Sequence, residues 1–352
     1  MIKQRESNFE LLRIILMIAV PMYHMMIYAG IIYMPYGELT TEALFICSGS
    51  AIVADYAFMA MSAYFLLNKN GATVIPKFLS LGIQVSVLYI FRYIMIRRVL
   101  GFPENDYYVN DFFLKGAWWF IYVYLIILLI YPILNKIIYQ LKTTHLLDVC
   151  MLLGACFIWN GLRNDVNLFH DFIAFLFTYF VVGYLKRHDF KSYFGLKTNK
   201  GTMAIIYFVG FILTFLFLWW VKCPGNIFTD EVASDIVRVL VGKYSFVQFV
   251  MGVAVFLLFK SVSIKQNKYI NSLSKNVFWV FLLHETVMSV YWYFGKMRTM
   301  DDRLPYQNIL DILIWAIVYI VSCFVFAWIL RIIYENTIGL LVKKLVVKFE
   351  VS

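Results

Sequence analysis

The chain has 352 residues, 62% of them hydrophobic and only 15% charged, with a mean hydropathy of +0.76 and a formal net charge of +10. That composition excludes a water-soluble globular domain, in which about a quarter of the residues are charged. Apolar runs of roughly 20 residues, the length needed to cross a bilayer core, recur between short polar breaks, and they lack the alternation of barrel strands.

The predicted elements are ten transmembrane helices near 8–32, 44–67, 75–96, 117–139, 146–162, 168–185, 202–221, 236–260, 276–295 and 307–334, an all-α polytopic bundle. The first run is too long for a signal peptide, contains Arg13 and His24, and lacks a small-residue cleavage site, so it is expected to be retained. The fifth carries Asn160 and several cysteines, and its existence sets the orientation of everything after it. Lys243 and Arg238 fall where the eighth helix begins. The tail from Ile338 groups its lysines between apolar residues, as an interfacial helix does. Trp118-Trp119 and Trp219-Trp220 sit near helix ends, in the positions of an interfacial aromatic belt, where Trp119 could also stack on a sugar.

With the N-terminus inside, the cytoplasmic segments collect most of the cations, among them Lys3, Arg5, Lys186, Arg187, Lys268, Lys343 and Lys344. The opposite loops hold fewer cations and more acids, such as Glu104, Asp106, Asp230 and Asp302. This distribution predicts both termini in the cytoplasm, and it makes the net positive charge a mark of topology, with no nucleic-acid partner implied. Cys47, Cys150, Cys156, Cys223 and Cys323 form no CxxC pair and read as packing residues, without a disulfide framework or a metal site. Composition does not change along the chain, so one membrane domain over 1–352 with no appended soluble domain is expected.

Ionisable side chains inside membrane helices are costly unless paired or facing a wet cavity, so they lead the search for function. Arg13 and His24 are eleven residues apart on the first helix, which places them within about 20° of one face and about 16 Å apart along the axis. Met17, Val20 or Pro21, and Tyr28 continue that stripe. The guanidinium lies where phosphates could enter, and the imidazole lies deeper, where it could act as base or nucleophile. The plain alternative pairs Arg13 with Glu10 and bonds His24 to the carbonyl that Pro21 leaves free.

Asp55 in the second helix could orient a histidine, balance a cation or simply bond between helices. Arg92 in the third reads as a second phosphate ligand or as an interfacial residue. The pair His284-Glu285 in the ninth reads as chemistry or as structural hydrogen bonding. No P-loop, GxGxxG, HExxH or GxSxG element is present, which argues against an ATP-driven pump or a hydrolase.

In these residues the chain resembles the acyltransferase-3 family of membrane acyltransferases. Arg13 and His24 match its R/K-(ten residues)-H pattern in the first helix, and Met61-Ser-Ala-Tyr-Phe-Leu66 is similar to its Ser-Gly-Tyr-Leu segment. Ala117-Trp-Trp-Phe-Ile-Tyr with Tyr131-Pro-Ile-Leu, then Phe177-Thr-Tyr-Phe-Val-Val-Gly-Tyr184, and then the segment from Ile270 to His284 supply three further landmarks in order. The likeness is nearest to the compact members that O-acetylate capsule or exopolysaccharide.

The resemblance implies a bacterial inner-membrane O-acetyltransferase that takes acetyl-coenzyme A from the cytoplasm and needs no metal. Its acceptor would be a surface polysaccharide or lipid-linked saccharide, with membrane lipids and polysaccharide-synthesis proteins as partners. On that reading His24 is catalytic and Arg13 positions the donor. The basic Arg-x-x-Arg element of some members is absent, and Lys69 or Lys77 would substitute as point charges; Ser62-Ala63 stands for the Ser-Gly pair. The competing classes are a transporter for a lipid-linked saccharide or small solute, with Arg13, Asp55 and His24 as a relay, and a non-catalytic subunit of an export complex.

Overall fold

The computed structural model describes residues 6–28, 38–49, 51–69, 74–101, 118–163, 167–223, 239–240, 242–293 and 308–342. Its helices are α1 (Ser7–Tyr28), α2 (Glu38–Cys47), α3 (Ala51–Leu66), α4 (Val74–Ile94), α5 (Trp119–Gln140), α6 (Thr143–Arg163), α7 (Leu168–Arg187), α8 (Lys200–Lys222), α9 (Phe246–Ser261), α10 (Lys268–Leu273), α11 (Val277–Tyr293) and α12 (Ile309–Asn336). Among the described residues eight apolar helical spans are long enough to cross a membrane, one of them, Phe45–Leu66, running from the end of α2 through α3, and α9 is a shorter apolar helix. The chain is an all-α polytopic membrane protein. Its one sheet among those residues is a hairpin of two-residue strands, Ser192–Tyr193 and Leu196–Lys197.

Side-chain caps start several of these helices. Asn167, Asn199, Ser245 and Asn308 each accept from a backbone N–H three residues on, satisfying donors that a helix start leaves open. Pro21 and Pro132 lie inside α1 and α5, which run on through them. The π-helical turn Met95–Val99 closes α4 and ends at Gly101, whose φ is +71°.

Each of the ten expected apolar segments contains a helix, but two begin differently. The expected helix 44–67 is interrupted between α2 and α3 at Ser48 and Gly49. Gln248 Nε2 donates to the Ser48 carbonyl at 3.2 Å, and Tyr207 OH donates to the Gly49 carbonyl at 3.2 Å. A Cβ at Gly49 would stand 2.5 Å from the Phe211 ring, so glycine is needed where the break meets α8. The expected helix 236–260 starts in the described residues at Phe246, and Lys243 lies in the turn before it. Arg238, and the tail beyond Val342, fall outside the described residues.

Two buried cores divide the bundle. One is built mainly by α3, α5, α6, α7 and α9, with Tyr56, Tyr131, Phe157, Phe175, Phe249 and Phe256 fully enclosed. The other joins α1, α2, α4, α11 and α12 around Met25, Leu282, Ala316 and Tyr319. Helix α3 packs on α1, α7 and α9. Its approach to α9 is close because a Cβ at Gly252 would lie 2.6 Å from Tyr56 Cβ and 2.8 Å from the Val53 carbonyl oxygen. The seam between the two cores, bordered by α1, α3, α5 and α11, holds the cavities.

At one end of this seam the last carbonyls of α3 are held by neighbours. Asn135 Nδ2 donates to Leu66 O at 3.1 Å, and Tyr179 OH fixes that amide by donating to Oδ1 at 2.6 Å. Lys186 Nζ and Tyr139 OH donate to Leu67 O at 3.0 and 3.1 Å. These bonds satisfy carbonyls left open at the buried end of α3, just before Lys69.

Candidate active site

His24 and His284 meet across the seam, with Nδ1 of His24 2.9 Å from Nε2 of His284 and the rings 13° from parallel. The other nitrogen of His284, Nδ1, lies 2.6 Å from the Phe281 carbonyl oxygen. A carbonyl only accepts, so His284 Nδ1 carries the hydrogen, and the neutral ring offers its Nε2 as acceptor. His24 Nδ1 is then the donor of the bond between them. The chain of bonds leaves the lone pair of His24 on Nε2, the nitrogen that chemistry needs. Tyr319 OH donates to the backbone carbonyl of His284 at 2.8 Å and anchors this turn to α12.

Beside this pair, Arg92 Nη1 meets Glu285 Oε2 at 3.0 Å with both side chains nearly buried, and the guanidinium lies over the Trp118 ring. Arg92, which the sequence offers as a second phosphate ligand or as an interfacial residue, is held by Glu285, because a carboxylate buried here needs a cation against it, and it lines neither of the two cavities beside the histidines. One nitrogen from each histidine and a Glu285 oxygen lie within 4.8 Å of one another, a set that could hold a metal ion. Two nitrogens on one tetrahedral zinc stand about 3.3 Å apart. The 2.9 Å separation here is that of a hydrogen bond.

Two cavities that share part of their walls lie beside the histidines. The larger, about 460 Å³, is bordered by Arg13 and Met17 of α1, by Lys77, Ser80 and Gln84 of α4, by Tyr124 and Leu128 of α5, and by Lys275 and Phe278 next to and on α11. Helix α3 contributes Asp55, Phe58, Ser62 and Leu66, a spacing of three and four residues that keeps these four on one face, and Lys69 follows from the turn after it. Arg13, Lys69, Lys77 and Lys275 make its mouth basic. The smaller cavity, about 200 Å³, is lined by Val20, Tyr23, His24, Ile52, Asp55, Trp119, Lys243, Phe281 and His284. Asp55 and Phe281 border both.

The wall opposite the histidines is ionic. Lys243 Nζ sits 2.8 and 2.9 Å from the two oxygens of Asp171, and Tyr244 OH donates to the same carboxylate at 2.9 Å. The ammonium also lies 3.6 Å from the centroid of Trp119. That face of Trp119, a residue the sequence assigns to the interfacial belt with sugar stacking as its alternative, is covered by Lys243.

The structure thus brings His24, His284, Asp55 and Trp119 to the small chamber and Arg13, Lys69, Lys77 and Ser62 to the large one. Arg13 also makes the Glu10 contact foreseen as its alternative, at 2.9 Å, and its side chain remains 32% exposed. The side chain of Tyr28 lies outside the described residues. Sequence reasoning missed Lys275, which looked like one more charge between helices, and Lys243, placed there only at a helix start. It also passed over Asp171, although an acid inside the apolar run 168–185 was the kind of signal being sought.

Fold and site together define a membrane-embedded protein with a histidine pair, His284 buried and His24 half-buried, beside two cavities that share Asp55 and Phe281, the larger of them lined by four cations. The chain belongs to the acyltransferase-3 family, whose model, described as an acyltransferase domain, matches residues 6–332. It is accordingly a membrane acyltransferase. No curated protein and no solved structure matches it.

Proposed function

We propose that the protein transfers an acetyl group from cytoplasmic acetyl-coenzyme A to a hydroxyl of a cell-surface polysaccharide or its lipid-linked precursor, in the inner membrane of a bacterium with both chain termini in the cytoplasm. The observation that carries this reading is a pair of cavities that share Asp55 and Phe281 in their walls, the larger lined by Arg13, Lys69, Lys77 and Lys275 and the smaller by His24. Cations at a mouth suit the phosphates of a nucleotide thioester, since each adds attraction without demanding a fixed geometry. The lining by Phe58, Tyr124, Leu128 and Phe281 suits the uncharged pantetheine arm. Along α1, the separation of Arg13 and His24 sets the distance between phosphate and thioester.

His24 Nε2, with its lone pair oriented by the bond from Nδ1–H to His284, is the group that meets the acetyl carbonyl, as base or as transient acyl carrier. Arg13 holds the donor, and the hydroxyl acceptor enters the small chamber. The test is transfer of labelled acetyl from acetyl-coenzyme A to glycan of the producing cell by purified protein. His24→Ala is expected to lower turnover by about 10³-fold or more, and Arg13→Ala to raise the KM for acetyl-coenzyme A. Full activity in His24→Ala, or acetylation independent of coenzyme A, would overturn the assignment.

A further inference from the structure

Inside a membrane bundle a carboxylate is expensive, and Asp171 shows how one is normally accommodated, with a lysine on both oxygens and a tyrosine hydroxyl besides. Asp55 has no such arrangement. Among the described residues it accepts no hydrogen bond and joins no close ion pair, and the ammonium that attracts it, Lys243, is bonded to Asp171. Nor does Asp55 orient the catalytic imidazole, since His24 Nδ1 is taken by His284. The two structural duties open to an acid at this place are filled by other residues.

Its position is the second observation. An acyl transfer needs a proton at the sulfur that leaves and must remove one from the hydroxyl that attacks. The sulfur arrives through the large cavity and the hydroxyl belongs in the small one. The only described residues that border both are Asp55 and Phe281, and a phenyl ring carries no proton.

We propose, building on the His24-centred reading, that Asp55 is the acid–base catalyst of both halves of the reaction and that His24 carries the acetyl group between them. The cycle starts with Asp55 as the carboxylic acid. Nε2 of His24 attacks the acetyl carbon, the C–S bond breaks, and the Asp55 proton passes to the departing thiolate. Coenzyme A leaves as the thiol, His24 holds the acetyl as an acetylimidazolium, and Asp55 is now a carboxylate. In the second half the acceptor oxygen attacks the acetyl carbon, its proton goes to Asp55, and the C–N electron pair returns to His24 Nε2. The acetyl ester departs and both residues regain their starting forms, with no net proton taken up or lost. The transfer uses one residue as acid and then as base, which is why that residue must face both cavities.

Asp55→Asn tests this, because it keeps the shape and removes the proton. Membrane vesicles from cells producing each form, with their own acceptor present, are given labelled acetyl-coenzyme A, and label incorporation and thiol release are followed against pH. The charged and titratable groups around Asp55 and its two cavities are Arg13, Tyr23 and His24 of α1, Tyr56 of α3 and Lys69 after it, Lys77 of α4, Tyr124 of α5, Asp171 of α7, Lys243 before α9, Lys275 before α11 and His284 on it. These are unchanged in the variant. The expected result is a fall of at least about 100-fold in kcat, a KM for acetyl-coenzyme A within about threefold of the wild type, and loss of the limb of the pH profile on which activity falls as pH rises. A kcat within threefold of the wild type would overturn the proposal. So would a loss of activity in which the pH limb persists or donor binding and thermal stability fail together, since that marks a structural role. His24→Ala run in parallel separates the two readings: full activity there removes the underlying assignment, whereas a dead His24→Ala beside an active Asp55→Asn removes only the role of Asp55.

Discussion

Asp171 and Asp55 sit on helices packed against each other, α7 and α3, and the same lysine is near both, yet their surroundings differ completely. Asp171 is 2% exposed and holds Lys243 and Tyr244 at 2.8 to 2.9 Å, so its ion pair fixes the turn before α9 against α7. Asp55 borders open space on two sides. The difference teaches how to sort polar groups inside a membrane bundle. A paired group stabilises the fold around it, and a group facing a cavity adds little to stability and is retained for what enters the cavity. His24 and His284 combine both conditions, since their shared bond faces the protein and Nε2 of His24 serves the chamber.

The sharpest way to break this contrast is to remove Asp171. Asp171→Ala leaves a nearly buried ammonium without its main partner and is expected to cost about 3–5 kcal/mol of stability, read as a large drop in the thermal unfolding midpoint in detergent. A loss under about 1 kcal/mol would show Asp55 taking over Lys243 and would erase the distinction. A smaller effect, on rate alone, is expected at the histidine pair. His284→Ala frees the His24 ring to turn and should lower kcat about 100-fold with the KM for acetyl-coenzyme A unchanged. An equal rise in KM would move His284 to the binding side of the comparison. The mildest effect belongs to the mouth. Lys69→Ala or Lys77→Ala should each raise that KM several-fold and leave kcat alone, the increase shrinking as salt is added, because these are partly exposed point charges. A change in kcat without one in KM would mean that the mouth does more than gather the donor.

Much of this site was legible in the chain, for reasons that are local. Arg13 and His24 share one helix, so a rise of 1.5 Å and a turn of 100° per residue place them without knowledge of any neighbour. Asp55, Phe58, Ser62 and Leu66 share one face of α3 for the same reason. Arg92 shows the limit of such reasoning. Its place in the third apolar segment was correct, but its partner Glu285 is 193 positions away, and no periodicity reports a contact between helices.

Hydropathy and its period determined that the chain is a bundle of apolar helices, because lipid forces the backbone to bond within each segment. The spacing in α1 likewise determined that a cation and an imidazole lie on one stripe. Only the tertiary structure decided what that stripe faces. Packing of the two cores leaves a seam between α1, α3, α5 and α11, and in that seam His284 meets His24, Lys243 turns to Asp171, and Asp55 is left facing both cavities. Those choices depend on which buried charges find partners across the bundle, and that free energy is written in the contacts between segments, not within any of them.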